Sequence, residues 1–524
     1  MDVKKCWPIL IIAGVLAVFP LSAVTTARSV PATAGASPSV LLIYDSLGRG
    51  TPKEGNMEAL QRLLAAFGAE VTVTTFERYA PGTLSRYEYA VAVRNARDLP
   101  SSYPEFEHDF TSYAGRYMHV GMHLPERVVE ALELREEQAS GGSLTLTVGQ
   151  LSEASIRVEN IGWIRQAAGE SYGSWSSSAS ERPAPFGVMN GGYAYIPYVV
   201  PGNLTELGSS YVLKDWLSVQ GQSRYYAAFR EIYPFSDLDR LKRLSDRLYE
   251  AGIPFIASVQ PVLSNLDYPA VQRYLEALKH IQSRNGSIVV NAPVVASTIS
   301  QDITTLKDEL SAFVDALADY GIAPLGIGAE MYWTYDRHYK ENALSSFDSI
   351  LMFPNKRIMH RERTDTSQPF ASSLYTLSLE DLQSFRVNGK VPEPLPMDTA
   401  LLLELPGSEK QMEETVQALR SDWRAFADYK TDAHTVRTAA NEIRSRGGLL
   451  QVNGRTLALG SAAASIEEQH TYIQEGPKSF ASLFTVQNNI FIVLIALTLL
   501  IFGGFLILGY RLYKRKYMHQ EKRP

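Results

Sequence analysis

Apolar positions fall into successive patterns along the chain. Between residues 39 and 125, short apolar runs alternate with helical spacing. Val40–Tyr44 is an unbroken run that stops at Asp45, Ser46 and a loop holding Gly48 and Gly50. Met57, Leu60, Leu64 and Phe67 recur at helical intervals, and Gly68 closes them. Glu70–Thr74, Tyr89–Val93 and Arg116–Val120 read as further strands, the last ending at Gly121. The alternation predicts a parallel α/β domain over 38–135. Ligands of such sheets sit at the carboxyl ends of strands, here Asp45, Ser46, Asn95 and Gly121. His119 and His123 fit either a metal pair or ordinary strand-end histidines. From Gly141 the period drops to two: Ser143–Val148, Ser155–Glu159, Tyr193–Tyr198 and Ser210–Leu213 predict a small β domain over 141–220. Its tyrosines suit a sugar- or protein-binding module, or the half-buried aromatics common in sheets.

Strand and helix patterns alternate again over 225–460. The strands are Tyr226–Ile232, Phe255–Pro261, Ser287–Asn291, Leu325–Tyr332, Ser349–Phe353, Thr399–Leu405 and Leu449–Val452. Helices fit at Leu238–Tyr249, Ala270–Gln282, Leu306–Tyr320, Lys410–Tyr429 and Val436–Arg446. The repeat predicts a (β/α) barrel, complete or incomplete, with its chemistry on loops at the carboxyl ends of the strands. The charged, proline-bearing stretch Lys356–Pro396 reads as a long excursion over the barrel rim.

Both ends of the chain are apolar. Lys4 and Lys5 precede a run from Cys6 to Val24, and small residues follow at Thr25–Ala27 and Ala32–Ala34. That order predicts a signal peptide over 1–34, with an uncleaved anchor as the alternative. Cys6 opens the run, whereas a lipoprotein cysteine would end it. Ile490–Tyr510 carries no charge and is long enough to cross a hydrocarbon core of about 30 Å. Arg511, Lys514, Arg515, Lys516, Lys522 and Arg523 follow it. Basic residues stay on the cytoplasmic side, so the expectation is an outward-facing body, a stalk over 461–489, a transmembrane helix over 490–510 and a cytoplasmic tail over 511–524.

Composition narrows the function classes. The chain has 524 residues, 45% of them hydrophobic and 20% charged, which is a globular balance. A net charge of -6 gives no basic face for nucleic acid. With Cys6 the only cysteine, the body has no disulfide framework, zinc knuckle or thiol nucleophile. A cysteine-free body on one C-terminal span suits a bacterial cell-surface protein. The sequons at Asn203 and Asn285 then carry no weight by themselves.

The predicted barrel-strand ends present Arg230, Glu231, Gln260, Asn291, Glu330, Tyr332, Trp333, Glu404 and Asn453, with Asp336 and His338 just beyond the fourth strand. Carboxylates and amides hydrogen-bond sugar hydroxyls, and Tyr332 or Trp333 would stack on a pyranose face or pack in the core. Glu231 and Glu330 are the candidate catalytic acids. Each has a plain alternative: Glu231 as an ion pair with Arg230, Glu330 as a hydrogen-bonded core carboxylate. Arg230, Gln260, Asn291, Tyr332, Trp333 and His338 are the candidate substrate-binding residues.

The segments Arg230–Asp239, Ala251–Pro261 and Gly286–Pro293 resemble an uncharacterised family related to polysaccharide deacetylases of the NodB type. The likeness covers about 225–355. It implies an acidic pair after the first barrel strand and a His-Ser/Thr-x-x-His pair after the third, holding a metal that activates water against an acetyl carbonyl. Glu231 stands where an acid is expected, with Arg230 in place of its acidic neighbour. Asn291 and Val295 stand where the two histidines belong, and neither replaces imidazole as a ligand. The expectation is no cofactor, with a divalent metal as the disfavoured alternative. The region 38–135 resembles flavodoxin-like and class I glutamine-amidotransferase-like folds, without the catalytic thiol of the latter.

Three functions stay open at this point. One is a surface protein with a degenerate site that binds an extracellular polysaccharide or cell-wall glycan, or serves an envelope or exopolysaccharide machine. A second is an esterase or deacetylase with an unconventional site, such as Glu231 with His338 and a water. The third is a glycoside hydrolase using Glu231 and Glu330.

Overall fold

The computed structural model describes residues 37–177, 182–263, 265–293, 304–387, 394–421, 425–458 and 481–517. The chain divides into two compact units, 1–459 and 460–524. The expected signal peptide, position 295 and the stretch 461–480 lie outside the described residues.

The first unit begins with β1 (Ser39–Tyr44), α1 (Asn56–Ala66), β2 (Glu70–Thr75), β3 (Tyr89–Arg94), α2 (Pro104–Ser112), β4 (Arg116–Gly121) and α3 (Glu126–Ala131). There follow β5 (Arg135–Val148), β6 (Leu151–Gln166), β7 (Glu170–Ser176), β8 (Ala184–Asn190), β9 (Tyr193–Ile196) and α4 (Leu204–Trp216). β1 and β3, apolar apart from Ser39 and Arg94 at their ends, lie inside the sheet, as strands covered on both faces do. Met57, Leu60, Leu63 and Leu64 give α1 its buried face.

The strands assigned by pattern to two segments run in one ten-stranded sheet. β9 pairs parallel with β4, Tyr117 opposite Tyr193, and antiparallel with β8. Within it β2-β1-β3-β4-β9 form a parallel run whose order reverses between β1 and β3. Ser210–Leu213, expected as a strand, lies inside α4. Asn203 caps that helix by accepting from the Thr205 amide at 2.9 Å, and Leu204, Leu207, Leu213 and Trp216 are buried. The cap and the helical spacing override the β propensity of the local Tyr-Val pair.

The barrel follows: β10 (Tyr225–Ile232), α5 (Leu238–Glu250), β11 (Phe255–Val259), α6 (Pro269–Ser283), β12 (Gly286–Asn291), α7 (Thr304–Asp319), β13 (Pro324–Glu330), α8 (Arg337–Asn342) and β14 (Ser349–Phe353). It continues through β15 (Ser372–Ser378), α9 (Leu379–Ser384), β16 (Arg386–Val387), β17 (Thr399–Leu403) and α10 (Glu409–Ser421). β10 to β15 and β17 are parallel and close on themselves as seven strands. α5 is the clearest case of sequence making structure: Asp237 accepts from the Arg240 amide at 2.9 Å, and Leu241, Leu244 and Leu248 form one buried face.

Three expectations are corrected here. β15 fills the sixth barrel place, inside the stretch read as a rim excursion. Val436–Arg446 is no helix: β18 (His434–Arg437) and β19 (Glu442–Arg446) pair antiparallel around a turn in which the Thr438 hydroxyl accepts from the Asn441 amide. β20 (Leu449–Val452) is a strand, yet it joins β19 and β21 (Arg455–Thr456) in a four-stranded antiparallel sheet outside the barrel.

The ten-stranded sheet and the barrel interlock. β16, between barrel strands, pairs with β6 at the edge of the ten-stranded sheet. Arg62 of α1 donates to Thr376 O at 2.7 Å and lies 3.6 Å from buried Glu206 of α4, whose carboxylate also accepts from the Tyr375 hydroxyl.

The second unit contains α11 (Ala481–Tyr517). Phe491–Arg515 within it is long and apolar enough to cross a bilayer. At 1.5 Å per residue those residues span about 38 Å.

Candidate functional site

Parallel strands leave the barrel at one mouth, and the βα loops there bring several predicted residues together. Glu231 is aimed by its backbone. It is left-handed, at φ 62, where β10 shifts register against β11 between Phe229 and Ile232. Such a bulge re-aims a side chain at a strand end, at a backbone cost of about 1 kcal/mol or more. The freed carboxylate meets Lys356 Nζ at 3.0 Å and Arg230 at 3.7 Å. Lys356 holds the Glu231 carboxyl below its ordinary range, with a smaller opposing push from burial.

Lys356 is the residue that pattern reading missed. It lies three positions past β14, and its amide donates to Glu330 Oε2 at 3.2 Å. Both candidate carboxylates therefore meet at one lysine. β10 and β14 are not neighbours in the barrel: β15 and β17 separate them one way, β11 to β13 the other. The Lys356–Glu231 pair therefore spans the mouth. Arg230 spans it too, its guanidinium 4.1 Å from the centre of the Phe353 ring at the end of β14. Its Nε is buried with no hydrogen-bond partner among the described residues, and the guanidinium is held by the ring face and the Glu231 carboxylate.

The loop carrying Lys356 is held by a buried anchor. Asp336 is fully buried and accepts from the amides of His338, Tyr339, Arg361 and Glu362. One carboxylate thus caps α8 and pins the far end of the loop.

Beneath the mouth, Asn291 is 3% exposed and its Oδ1 accepts from the buried Ser258 hydroxyl. Gly328 on β13 makes room for it, because a Cβ there would stand 2.7 Å from Asn291 Oδ1 and equally close to the Phe353 ring. The Gln260 backbone is fixed, its amide donating to Ile232 O at 2.8 Å and its carbonyl accepting from Tyr274.

Four predicted residues are not where a ligand would meet them. Tyr332 and Trp333 are 4% and 2% exposed, because a 3-10 turn after β13 folds them inward. Trp333 stacks on Tyr339 at 4.2 Å, and Tyr332 stands edge-on to His360. These rings are core, and burial pushes the Tyr332 hydroxyl up to about 12. His338 pairs with Glu362 at 3.3 Å, with no contact to Glu231. Asn453, expected at the mouth, accepts from the Glu442 amide in the small antiparallel sheet.

The exposed aromatic surface of the mouth lies elsewhere. Tyr233 and Phe235, just past Glu231, stack at 4.8 Å with 17° between planes, and Phe235 is 83% exposed. The signal was present in the sequence, as two aromatics flanking a proline directly after a strand end. Beside them a cavity of about 170 Å³ is bounded by Ser236, Asp237 and Arg240 at the start of α5 and by Pro406 and Gly407 on another loop.

Among the described residues, no group of three or more His, Cys, Asp or Glu is placed to hold a metal ion. His119 does not pair with His123. It is buried, with Nε2 on Met122 O at 2.7 Å and Nδ1 on the Tyr117 hydroxyl at 3.1 Å. A carbonyl only accepts, so Nε2 carries the proton and Nδ1 accepts from Tyr117.

No family model matches the chain, and no curated protein matches it. Among solved structures, the chain is similar to a family 4 carbohydrate esterase from Bacillus anthracis. The match has 10% identity and a TM-score of 0.23, over 39% of this chain and 80% of that one, a likeness too slight to fix fold or chemistry.

Proposed function

We propose that the chain is a membrane-anchored, polysaccharide-deacetylase-like protein that binds an extracellular or cell-wall glycan at the barrel mouth. On this reading the metal-dependent deacetylase site has been lost. The observation that carries it is the pair of cation contacts across the mouth, Arg230 on Phe353 and Lys356 on Glu231. A metal centre that activates water needs lone pairs converging on one open point. Guanidinium and ammonium groups offer none, and they repel a dication. Asn291, where the resemblance places the first metal histidine, is occupied with Ser258.

The polar groups and the exposed Phe235–Tyr233 pair suit a polyol with apolar ring faces. Glycoside hydrolysis through the same acids requires one carboxyl to keep its proton at neutral pH. Lys356 works against that role for Glu231. The C-terminal helix supports a single span, and the basic residues after it support a cytoplasmic tail with the barrel outside. Work alongside an envelope or exopolysaccharide machine fits this placement.

Calorimetry with the detergent-solubilised full chain and chitotetraose tests the reading. Binding without acetate release is expected, with Phe235→Ala weakening it about tenfold at unchanged thermal stability. Acetate release that requires a divalent metal and is abolished by Glu231→Gln overturns it.

A further inference from the structure

A second cavity, of about 600 Å³, opens in the N-terminal sheet at the carboxyl ends of β3 and β4, between α2 and α3. It shares no residue with the barrel mouth and falls within the ~300–1,000 Å³ of small-molecule pockets. One side is aromatic, built from Phe76, Tyr103, Phe106 and Phe110. Most polar groups around it are already engaged. Arg94 pairs with buried Asp45 at 3.2 Å and lies 5.0 Å from both the Phe76 and Tyr103 rings. His119 has both nitrogens bonded. Glu107 closes the start of α2 by accepting from the Ser102 hydroxyl and the Tyr103 amide.

One group, the His123 ring, is not so engaged, and one cation, Arg127, has carbonyls and rings but no carboxylate around it. His123 has left-handed backbone, at φ 56, and its Nε2 is buried with no hydrogen-bond partner among the described residues. Native structures seldom leave a buried ring nitrogen unpaired, and a non-glycine residue in this conformation is held there by its surroundings. Arg127 gives its N–H groups to the carbonyls of Phe110, Thr111 and Tyr113, with no carboxylate in ion-pair range among the described residues. Its guanidinium also lies 5.2 Å from the Phe110 ring and 5.6 Å from the Tyr193 ring, so its charge is met by carbonyls and ring faces and by no ion pair. The two acids beside it, Glu126 and Glu130, are exposed at the rim.

We propose that this cavity binds a small planar molecule carrying a carboxylate. The ring lies against the aromatic side, and the carboxylate takes the His123 Nε2 hydrogen bond and the Arg127 charge. A carboxylate accepts strongly from an imidazole N–H, and the Arg127 guanidinium, its N–H groups on carbonyls, adds attraction through its charge.

Benzoate is the probe, followed by ligand-observed NMR on the detergent-solubilised full chain, with protein-free micelles as the blank. Saturable benzoate binding is expected, with benzyl alcohol about tenfold weaker because it lacks the charge. His123→Gly suits the left-handed backbone and removes the imidazole, so it weakens benzoate about tenfold without lowering the melting temperature. Ser101→Trp, at an exposed lining position, abolishes binding by filling the cavity. No benzoate binding by the wild type, equal binding of benzyl alcohol, or binding unchanged in either variant overturns the proposal.

Discussion

The barrel mouth and the N-terminal sheet crevice occupy the same place in their topologies, at the carboxyl ends of parallel strands. They differ in how their polar groups are used. At the mouth, Arg230 and Lys356 meet Glu231, the Lys356 amide meets Glu330, Asn291 is bonded to Ser258 beneath, and Phe235 is exposed beside them. In the crevice, Arg94 and His119 are satisfied internally, while a cavity, an unpaired His123 nitrogen and the Arg127 charge are left. The fold supplies a location, and the side chains decide whether it can hold a metal, a sugar face or a small acid.

The largest test asks whether the two regions are energetically one body. Arg62 ties α1 to Glu206 and to the barrel strand carrying Tyr375 and Thr376. Arg62→Ala leaves the Glu206 carboxylate buried without its cation, at an expected cost of about 3–5 kcal/mol. Urea unfolding should still show a single transition, shifted to lower denaturant. Two separated transitions in the wild type would break the comparison into independent halves.

The next effect belongs to the crevice alone. Burial holds His119 neutral down to about 4, and the nearby Arg94 and His123 add to that, against a hydrogen bond to Met122 O. The unfolded imidazole titrates near 6.5. As pH falls through that interval the unfolded chain gains the proton first, so stability drops, by up to about 3 kcal/mol between pH 6.5 and 4. His119→Gln should flatten that slope in urea unfolding measured at pH 7 and pH 5. An unchanged slope would take His119 out of the account.

The smallest effect belongs to the mouth. Lys356 and Glu231 are both substantially exposed, so Lys356→Met should cost less than about 1 kcal/mol. Its readout is the Glu231 carboxyl, which should titrate closer to the ordinary value of about 4.3. The lowered carboxyl adds stability above that value and loses it as pH falls through its own folded value, so the variant should show less acid destabilisation there. NMR titration of the Glu231 carboxyl checks this directly.

Much of the barrel was legible because its strands are short, mostly apolar runs between helix patterns and turn residues, as at Phe255–Val259 after Gly252 and Pro254 and at Ser349–Phe353 before Pro354. β15 was not, since Ser372–Ser378 mixes hydroxyls with apolar residues. Thr376 is buried there by donating its hydroxyl to Met352 O, a partner that only the closed barrel supplies. Val436–Arg446 misled because its apolar spacing fits a helix, while the Thr438–Asn441 turn sets the chain back on itself. At the site, the strand-end positions of Arg230, Glu231 and Glu330 were legible, but the other groups they touch were not. Lys356 could not be seen, because Asp336 anchors its loop from 20 or more residues away in sequence. Tyr332 and Trp333 had the composition of a sugar platform, and one inward turn made them core.

The central claim is that the mouth binds without metal chemistry. Its most direct test is elemental analysis of the purified full chain after incubation with zinc, paired with an acetate assay on chitotetraose. The account predicts substoichiometric zinc and no acetate. One zinc per chain, lost in Glu231→Gln and accompanied by acetate release, would contradict it.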